Sequence, residues 1–484
     1  MKMNCLLSGN DSVPVMFRSF ALKMEEIGMP AIVINLFKCY YTQLLFGDQG
    51  KLSEREILPV GDGDVTDYES LNSYSSEGLD ALDRLAVIKL NGGLGTTMGL
   101  DKTKSLIPVR KGKNFLDIIL GQVEAMREDH GIPLPLLLMN SFKTHLETMT
   151  RVRDFENPGT GLPLAFVQHR YPKILQKDLS PAGCPSNPEL EWNPPGHGDI
   201  YTALVTSGTL QRLLNQGFRY AFISNSDNLG AVVDERILGF MVRKEIPFVM
   251  EVARRSPSDR KGGHLTRLFK NGRFALRETA QCPDNELDSF SDIEKHRFFN
   301  TNSLWLDLKA FEKVFLEKLN MPLDVILNKK TLDPRNPKTP EVIQLETAMG
   351  SAITSFEKAR AVLVPRTRFA PVKTTSDLLL VMSDCYRLNE RNVIEPHPSR
   401  SESMPQVELD PRFFGKVDDF LARFPDGPPS LAGCDRFQVK GDVLFKGAVT
   451  VKGSVRISNN SASQIVIGPD AVMEKDIVVP RGDT

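Results

Sequence analysis

Cysteine is scarce and dispersed. Cys5, Cys39, Cys184, Cys282, Cys385 and Cys434 include no pair at C-x-x-C spacing. That argues against a disulfide framework and a zinc site, and it fits a reducing cytoplasm. Long apolar runs are missing too: nothing approaches the ~18 consecutive apolar residues of a membrane helix. The opening "MKMNCLLSGNDSVPVMF" lacks an apolar core followed by a small-residue cleavage site, so no secretory leader is expected. Neither sign of charge dominates. Lys and Arg number 60 and Asp and Glu 61, which argues against nucleic acid or an anionic membrane as a partner. What is present is ordinary globular material, 41% hydrophobic and 25% charged over 484 residues, enough for two or three domains.

Three regions are expected. Residues 1–80 read as an N-terminal helical region, because Val15, Phe17, Phe20, Met24 and Ile27, then Ile32, Ile34, Leu36 and Phe37, recur at helical spacing. The acidic stretch "GDGDVTDYESLNSYSSEG" (61–78) reads as a linker or loop. Over 81–395 short apolar runs alternate with amphipathic stretches. The runs include "LAVIKL" (85–90), "LPLLLMN" (134–140), "RYAFISN" (219–225) and "PFVMEV" (247–252). Helix-like segments at 115–129 and 200–217 lie between runs, and "VIQLETAMGSAI" (342–353) reads as a helix with Leu345, Met349 and Ile353 as its core stripe. Thr374, Thr375, Ser376 and Asp377 offer helix caps before "LLLVM". This alternation predicts an α/β domain with a mostly parallel sheet, whose ligands bind outside the carboxyl ends of the strands. Over 396–484 the pattern changes again. In "VKGDVLFKGAVTVKGSVRI" (439–457), Val439, Phe445 and Val451 each start an apolar-Lys-Gly triplet, six residues apart. That period predicts a hexapeptide-type β-helix, with a strand-rich meander as the alternative.

The chemistry-bearing stretch is "VIKLNGGLGTTMGLDKTKSLIPVR" (87–110). Walker A is excluded, because Gly99 is followed by Leu100 and not by lysine. The dinucleotide fingerprint is excluded because Gly93, Gly95 and Gly99 are spaced one residue too far. A tight strand-to-helix turn is the bland alternative. The functional reading is a phosphate cradle: glycines without Cβ allow close approach, backbone N–H groups face phosphate oxygens, and Lys104 supplies a point charge. Lys102 reads as solvated filler.

"LNGGLGTTMGLDKTKSL" resembles the signature loop of UTP–glucose-1-phosphate uridylyltransferases, close to L-N-G-G-L-G-T-x-M-G, filler, then K-S-L. It departs in the filler, where many eukaryotic members carry Gly-Pro before the lysine. That departure suggests a bacterial-type branch and leaves Lys104, in register with Ser105, as the equivalent lysine. Further stations match: "PPGHGD" (194–199), "SNSDNLG" (224–230), "FVQ" (166–168), "LLLMNS" (136–141), "RETAQCP" (277–283), "FFNTNSLWL" (298–306) and "PVK" (371–373). The resemblance implies a Rossmann-like, mixed but mostly parallel nucleotidyltransferase core (GT-A-like). It implies Leu90, Asn91, Gly92 and Gly93 in nucleotide binding. Gln168 and Gly196 would lie near the uracil, as would Met139 and Asn140, and His197 near the sugar phosphate. Asn225 would serve nucleotide or sugar, Asp227 would hold Mg2+, and Lys104 and Lys373 would act on the nucleotide phosphates. Glu278, Asn300 and Asn302 offer the directional polar partners a neutral sugar needs.

The implied reaction is UTP plus α-D-glucose 1-phosphate giving UDP-glucose and pyrophosphate, by in-line attack on the α-phosphate. A phosphate nucleophile is already ionised and needs no general base. The alternatives are a broad-specificity UDP-sugar pyrophosphorylase, an inactive nucleotide-sugar-binding scaffold, and a hexapeptide-repeat acyltransferase. The last is disfavoured because the repeat carries no evident catalytic histidine. The C-terminal coil is expected to support homo-oligomer contacts.

Overall fold

The computed structural model describes residues 15–47, 50–100, 102–318, 321, 323–400 and 404–481. Residues 1–14, 48 and 49 of the expected N-terminal helical region, Cys5 among them, lie outside the described residues. Seven strands form the core of an eleven-stranded central sheet: β1 (Leu85–Asn91), β2 (Leu136–Asn140), β3 (Ala165–Val167), β4 (Tyr220–Asn225), β5 (Phe248–Arg254), β6 (Phe298–Asp307) and β7 (Arg360–Leu363). Their order is β7-β5-β6-β4-β1-β2-β3. Neighbours run parallel except at β6, which is antiparallel to both β4 and β5. The expected mixed, mostly parallel α/β sheet is therefore present.

The strands that read as continuous apolar runs are buried on both faces, as parallel strands must be. All seven residues of β1 and all five of β2 are buried. Alternation divides them between two cores: Leu85 and Val87 pack on one face, Ala86, Ile88 and Leu90 on the other. The helix Phe115–His130 covers the first face. Asn114 caps it by accepting the Asp117 N–H at 2.8 Å, and Gly131 ends it in the left-handed region. Chain order reverses at β1, with β2 on one side and β4 on the other. The carboxyl ends of β1 and β4 thus flank a topological switch point.

Three expectations need correction. The segment 61–78 is no linker: Thr66–Asp67 pairs parallel with β7 at the sheet edge. Its Tyr68 is buried and its hydroxyl donates to Asp234. Residues 342–353 are not a helix. Glu341–Thr347 is a strand between Val325–Thr331 and Ile174–Leu175, and Met349–Ser355 is a 3-10 turn. Leu345, Met349 and Ile353 are buried all the same, but β-branched Val342, Ile343 and Thr347 suit a pleated surface better than a helix. The expected single helix over 200–217 breaks into Ile200–Thr206 and Thr209–Asn215, because Gly208 sits at φ +71° between them.

Helices Val15–Glu25 and Ala31–Leu45 fulfil the helical reading of the N-terminal region. Their aromatic face, Phe20, Phe37 and Tyr41, packs on Tyr171, Trp192 and Leu345. At the C-terminal end the strands form separate parallel sheets. Val443–Phe445 pairs with Ile465–Ile467, and Val449–Val451 with Ala471–Met473. Gly453–Asn459 lies between Cys434–Lys440 and Ile477–Val479. The hexad residues Val439, Val443, Phe445, Val449, Val451 and Val455 are all buried.

Candidate functional site

The glycine loop leaves β1 and folds back on itself. Leu94 bridges to Thr103, and the Lys104 N–H donates to the Gly93 carbonyl at 3.2 Å. Thr103 is fixed from outside, its N–H and hydroxyl both donating to Glu147. This return puts Lys104 under the glycines. Its Nζ donates to Asp227 Oδ2 at 2.5 Å, with both side chains 17% exposed. Lys102 points to solvent, as expected. Gly92 is required by contact: a Cβ there would come within 2.4 Å of Gln168 Nε2. The loop and the end of β3 are therefore in close contact.

Asp227 follows β4. Its loop is pinned by Asn228, whose amide donates to the Arg368 carbonyl and accepts the Ala370 N–H. The Asp227 carbonyl accepts the Val372 N–H at 3.2 Å. Asp227 is thus stitched to the segment that carries Lys373. Lys373 itself is exposed, with its Nζ 5.7 Å from the centre of the Phe299 ring. Among the described residues no carboxylate lies within ion-pair distance of it.

His197 lies within electrostatic reach of Lys373 and Asp227. The "PPGHGD" loop packs on the strand end at Thr347: Gly196, at φ +80°, and Gly198 approach it so closely that a Cβ on either would collide. Burial, then the charge of Lys373, pushes the His197 pKa down to about 4, against the pull of Asp227. Its Nδ1 accepts the Met349 N–H at 3.0 Å. The neutral ring therefore carries its proton on Nε2, which is left to donate. Glu278 packs against Gly263, and burial raises its pKa while Lys373 opposes the rise. Asn300 and Asn302 form one unit at a bulge of β6. The Asn300 amide donates to Asn302 Oδ1 at 2.8 Å, and Asn302 adopts φ +57°. Asn300 also borders Gly350, next to the Met349 that holds His197.

Leu90 and Asn91 are the last two residues of β1, just before the glycine loop. The Asn91 amide donates to Asn140 and Thr148, so it frames the loop from below. The Leu90 side chain is in the core, and its carbonyl accepts the Ser226 N–H. Asn140 is spent in the same network. Asn225 ends β4, beside Leu90. Two positioning contacts escaped the sequence reading. The Met349 amide sits in a segment misread as helix. Asp199 accepts the His169 backbone N–H and ring Nδ1, tying the residue after Gln168 to the His197 loop. Asp199 stands inside the quoted H-G-D, so its type was visible and its partner was not.

The donor set suits a hard divalent cation. Asp227 Oδ1 is buried and has no hydrogen-bond partner. No group of three or more His, Cys, Asp or Glu gathers among the described residues. A single carboxylate with an open oxygen fits Mg2+, which retains waters and takes phosphate oxygens, better than it fits zinc.

Fold and site together place the chain among α/β enzymes that work on nucleotide phosphates. The sequence profile of UTP–glucose-1-phosphate uridylyltransferases matches residues 34–452. The enzyme of that name from Hordeum vulgare is 42% identical over 446 residues, 91% of this chain and 92% of the relative. The one from Solanum tuberosum is 41% identical over 454 residues, covering 93% and 92%. A variant UDP-glucose pyrophosphorylase from Leishmania major, solved with UDP-glucose, superposes with a TM-score of 0.91 at 39% identity, covering 97% of this chain and all of that one. The chain belongs to the UTP–glucose-1-phosphate uridylyltransferase family. These relatives are eukaryotic, which corrects the bacterial-type reading of the missing Gly-Pro.

Proposed function

We propose that the chain transfers the uridylyl group of UTP to α-D-glucose 1-phosphate, releasing pyrophosphate and forming UDP-glucose. The observation that carries this reading is the Lys104–Asp227 pair at the switch point, with His197 and Lys373 within electrostatic reach. The glycine loop would grip the UTP phosphates through the N–H groups of Gly92 and Gly93, with Gln168 on the uracil. A sugar phosphate oxygen attacks the α-phosphorus, and the bond to pyrophosphate breaks in line. Both reactants are anions, so positioning and charge compensation supply the catalysis. Lys373 would meet the charge developing at the α-phosphate, and His197 would donate from Nε2. Glu278, Asn300 and Asn302 would orient the sugar. Asp227 would hold Mg2+ through its open oxygen, and the bound ion would offset phosphate charge.

Pyrophosphate release from UTP and Mg2+ with a panel of sugar 1-phosphates tests the reading. Release with glucose 1-phosphate supports it, and no release with any sugar sinks it. Equal rates with galactose 1-phosphate would favour the broad-specificity alternative.

The division at 1–80, 81–395 and 396–484 remains our proposal for the domains. We also read the C-terminal strands as turns of a β-helix, supported by the parallel pairing of 443 with 465 and 449 with 471. Val466, Val472 and Val478 on its last strands are 55–66% exposed, which supports self-association there. No disulfide joins the five described cysteines, and a reducing cytoplasm remains our proposal for the compartment. No described helix is long and apolar enough to cross a membrane.

A further inference from the structure

A cavity of about 290 Å³ lies on the opposite face of β1 from Ile88 and Leu90, between that strand, the helix Phe115–His130 and residues 231–235. Val87, Val123, Met126, Leu134, Phe222 and Val233 form its apolar wall, and Lys89, Gln122, Asp129, His130, Glu235 and Arg391 its polar and charged lining. No residue assigned above to nucleotide, sugar or metal lines it. Apolar cavities of only ~150 Å³ take up benzene-sized guests, so this one has room for a small organic molecule.

Of the charged residues in this lining, Lys89 is the buried one. Lys89 is 2% exposed. Its Nζ donates to Ser224 Oγ and to the Ala231 carbonyl, each at 2.7 Å, and lies 5.3 Å from the Phe222 ring centre. An ammonium has three donors, and described residues supply acceptors for two. The nearest buried carboxylate, Glu251, is already engaged by Arg368 at 2.7 and 2.9 Å and by Trp305 at 2.9 Å. At the rim, Asp129 is paired with Arg391 at 2.8 Å, and His130 and Glu235 complete the charged lining. Burial and the charge of Arg368 push the Lys89 pKa down to about 7, with Glu251 opposing. A buried cation without a counter-charge of its own is costly, and an anion delivered into the cavity would relieve that cost.

We propose that this cavity binds a small apolar monocarboxylate, with its carboxylate on the Lys89 ammonium and its hydrocarbon against Val123, Met126 and Phe222. Lys89 also holds Ala231, four residues beyond Asp227. The bound acid would therefore touch the support of the metal-binding loop from behind, outside the catalytic crevice.

The test is calorimetric titration of the full-length protein with octanoate, in the presence and absence of saturating UDP-glucose. Saturable one-to-one binding that persists with UDP-glucose is expected. 1-Octanol should bind at least about tenfold more weakly, since it lacks the charge. Val123→Phe, which fills the cavity and leaves Lys89 in place, should abolish octanoate binding, and Lys89→Met should weaken it by a similar tenfold factor. Should Lys89→Met fail to fold, the octanol and Val123→Phe comparisons decide alone. Absence of saturable binding, competition by UDP-glucose, equal affinity for octanol, or unchanged binding in folded Val123→Phe would each overturn the proposal.

Discussion

The two lysines we propose for the nucleotide phosphates are held in opposite ways. Lys104 is mostly buried and paired at 2.5 Å with Asp227, on a loop that folds back under its own glycines. Lys373 is exposed, lies over an aromatic ring, and has no described carboxylate partner within ion-pair distance. A charge already neutralised is a poor device for meeting new negative charge, whereas an uncompensated one is well suited to it. The pairing instead suits Lys104 to a binding role that begins when Asp227 turns to another cation. In the proposed reading the same chemical group would serve two ends, the difference being set by the neighbour.

That comparison can be broken by kinetics. Lys373→Ala should cost the most, about 10²–10³-fold in kcat, the loss typical of one charge-stabilising donor. Lys104→Ala should act mainly through the KM for UTP. Equal effects of the two on kcat would erase the distinction. Next in size is the metal requirement. Asp227→Asn should raise the Mg2+ concentration for half-maximal activity by about 10–100-fold. Lys104→Met should lower that concentration, because the ammonium no longer competes for Asp227, and an increase would count against the placeholder role. Gly92→Ala would place a Cβ 2.4 Å from Gln168 Nε2, so the KM for UTP should rise about tenfold while kcat changes less.

The smallest effect concerns pH. The His197 pKa falls from its ordinary 6.5 to about 4, so the fold favours the neutral ring. The stability tied to this is whole above pH 6.5 and is lost as pH falls toward 4. Relative to His197→Gln, the unsubstituted protein should lose Tm across that window and not above it. A parallel pH dependence of Tm for the two proteins would contradict the assignment.

Local chemistry was the legible part of the sequence. Glycines that admit a ligand, a carboxylate just past β4 and a lysine before a capped helix all declare themselves within a few residues. The capping box at Thr374 and Asp377 formed as the spacing indicated. Strand positions were legible where burial on both faces makes apolar runs continuous. Illegible were features settled by distant partners. The helical spacing of Leu345, Met349 and Ile353 hid a strand, because its neighbours at 174 and 325 are remote in sequence. The amide nitrogen of Asn91 donates to Asn140 and Thr148, partners its place beside the glycines does not reveal. The antiparallel sense of β6 has no local signature at all.

The clasp at Asn228 bears on how the molecule is made. Its amide joins the Arg368 and Ala370 backbone, partners about 140 residues further along the chain. A chain emerging from the ribosome can lay down β1 to β4 early. It cannot fix Asp227 until residues 368–372 have also emerged and docked. Closure over such a separation is slow compared with local structure. The reactive centre should therefore be among the last parts of the newborn protein to mature, and a nascent chain stalled before residue 368 should carry much of the sheet but no competent site.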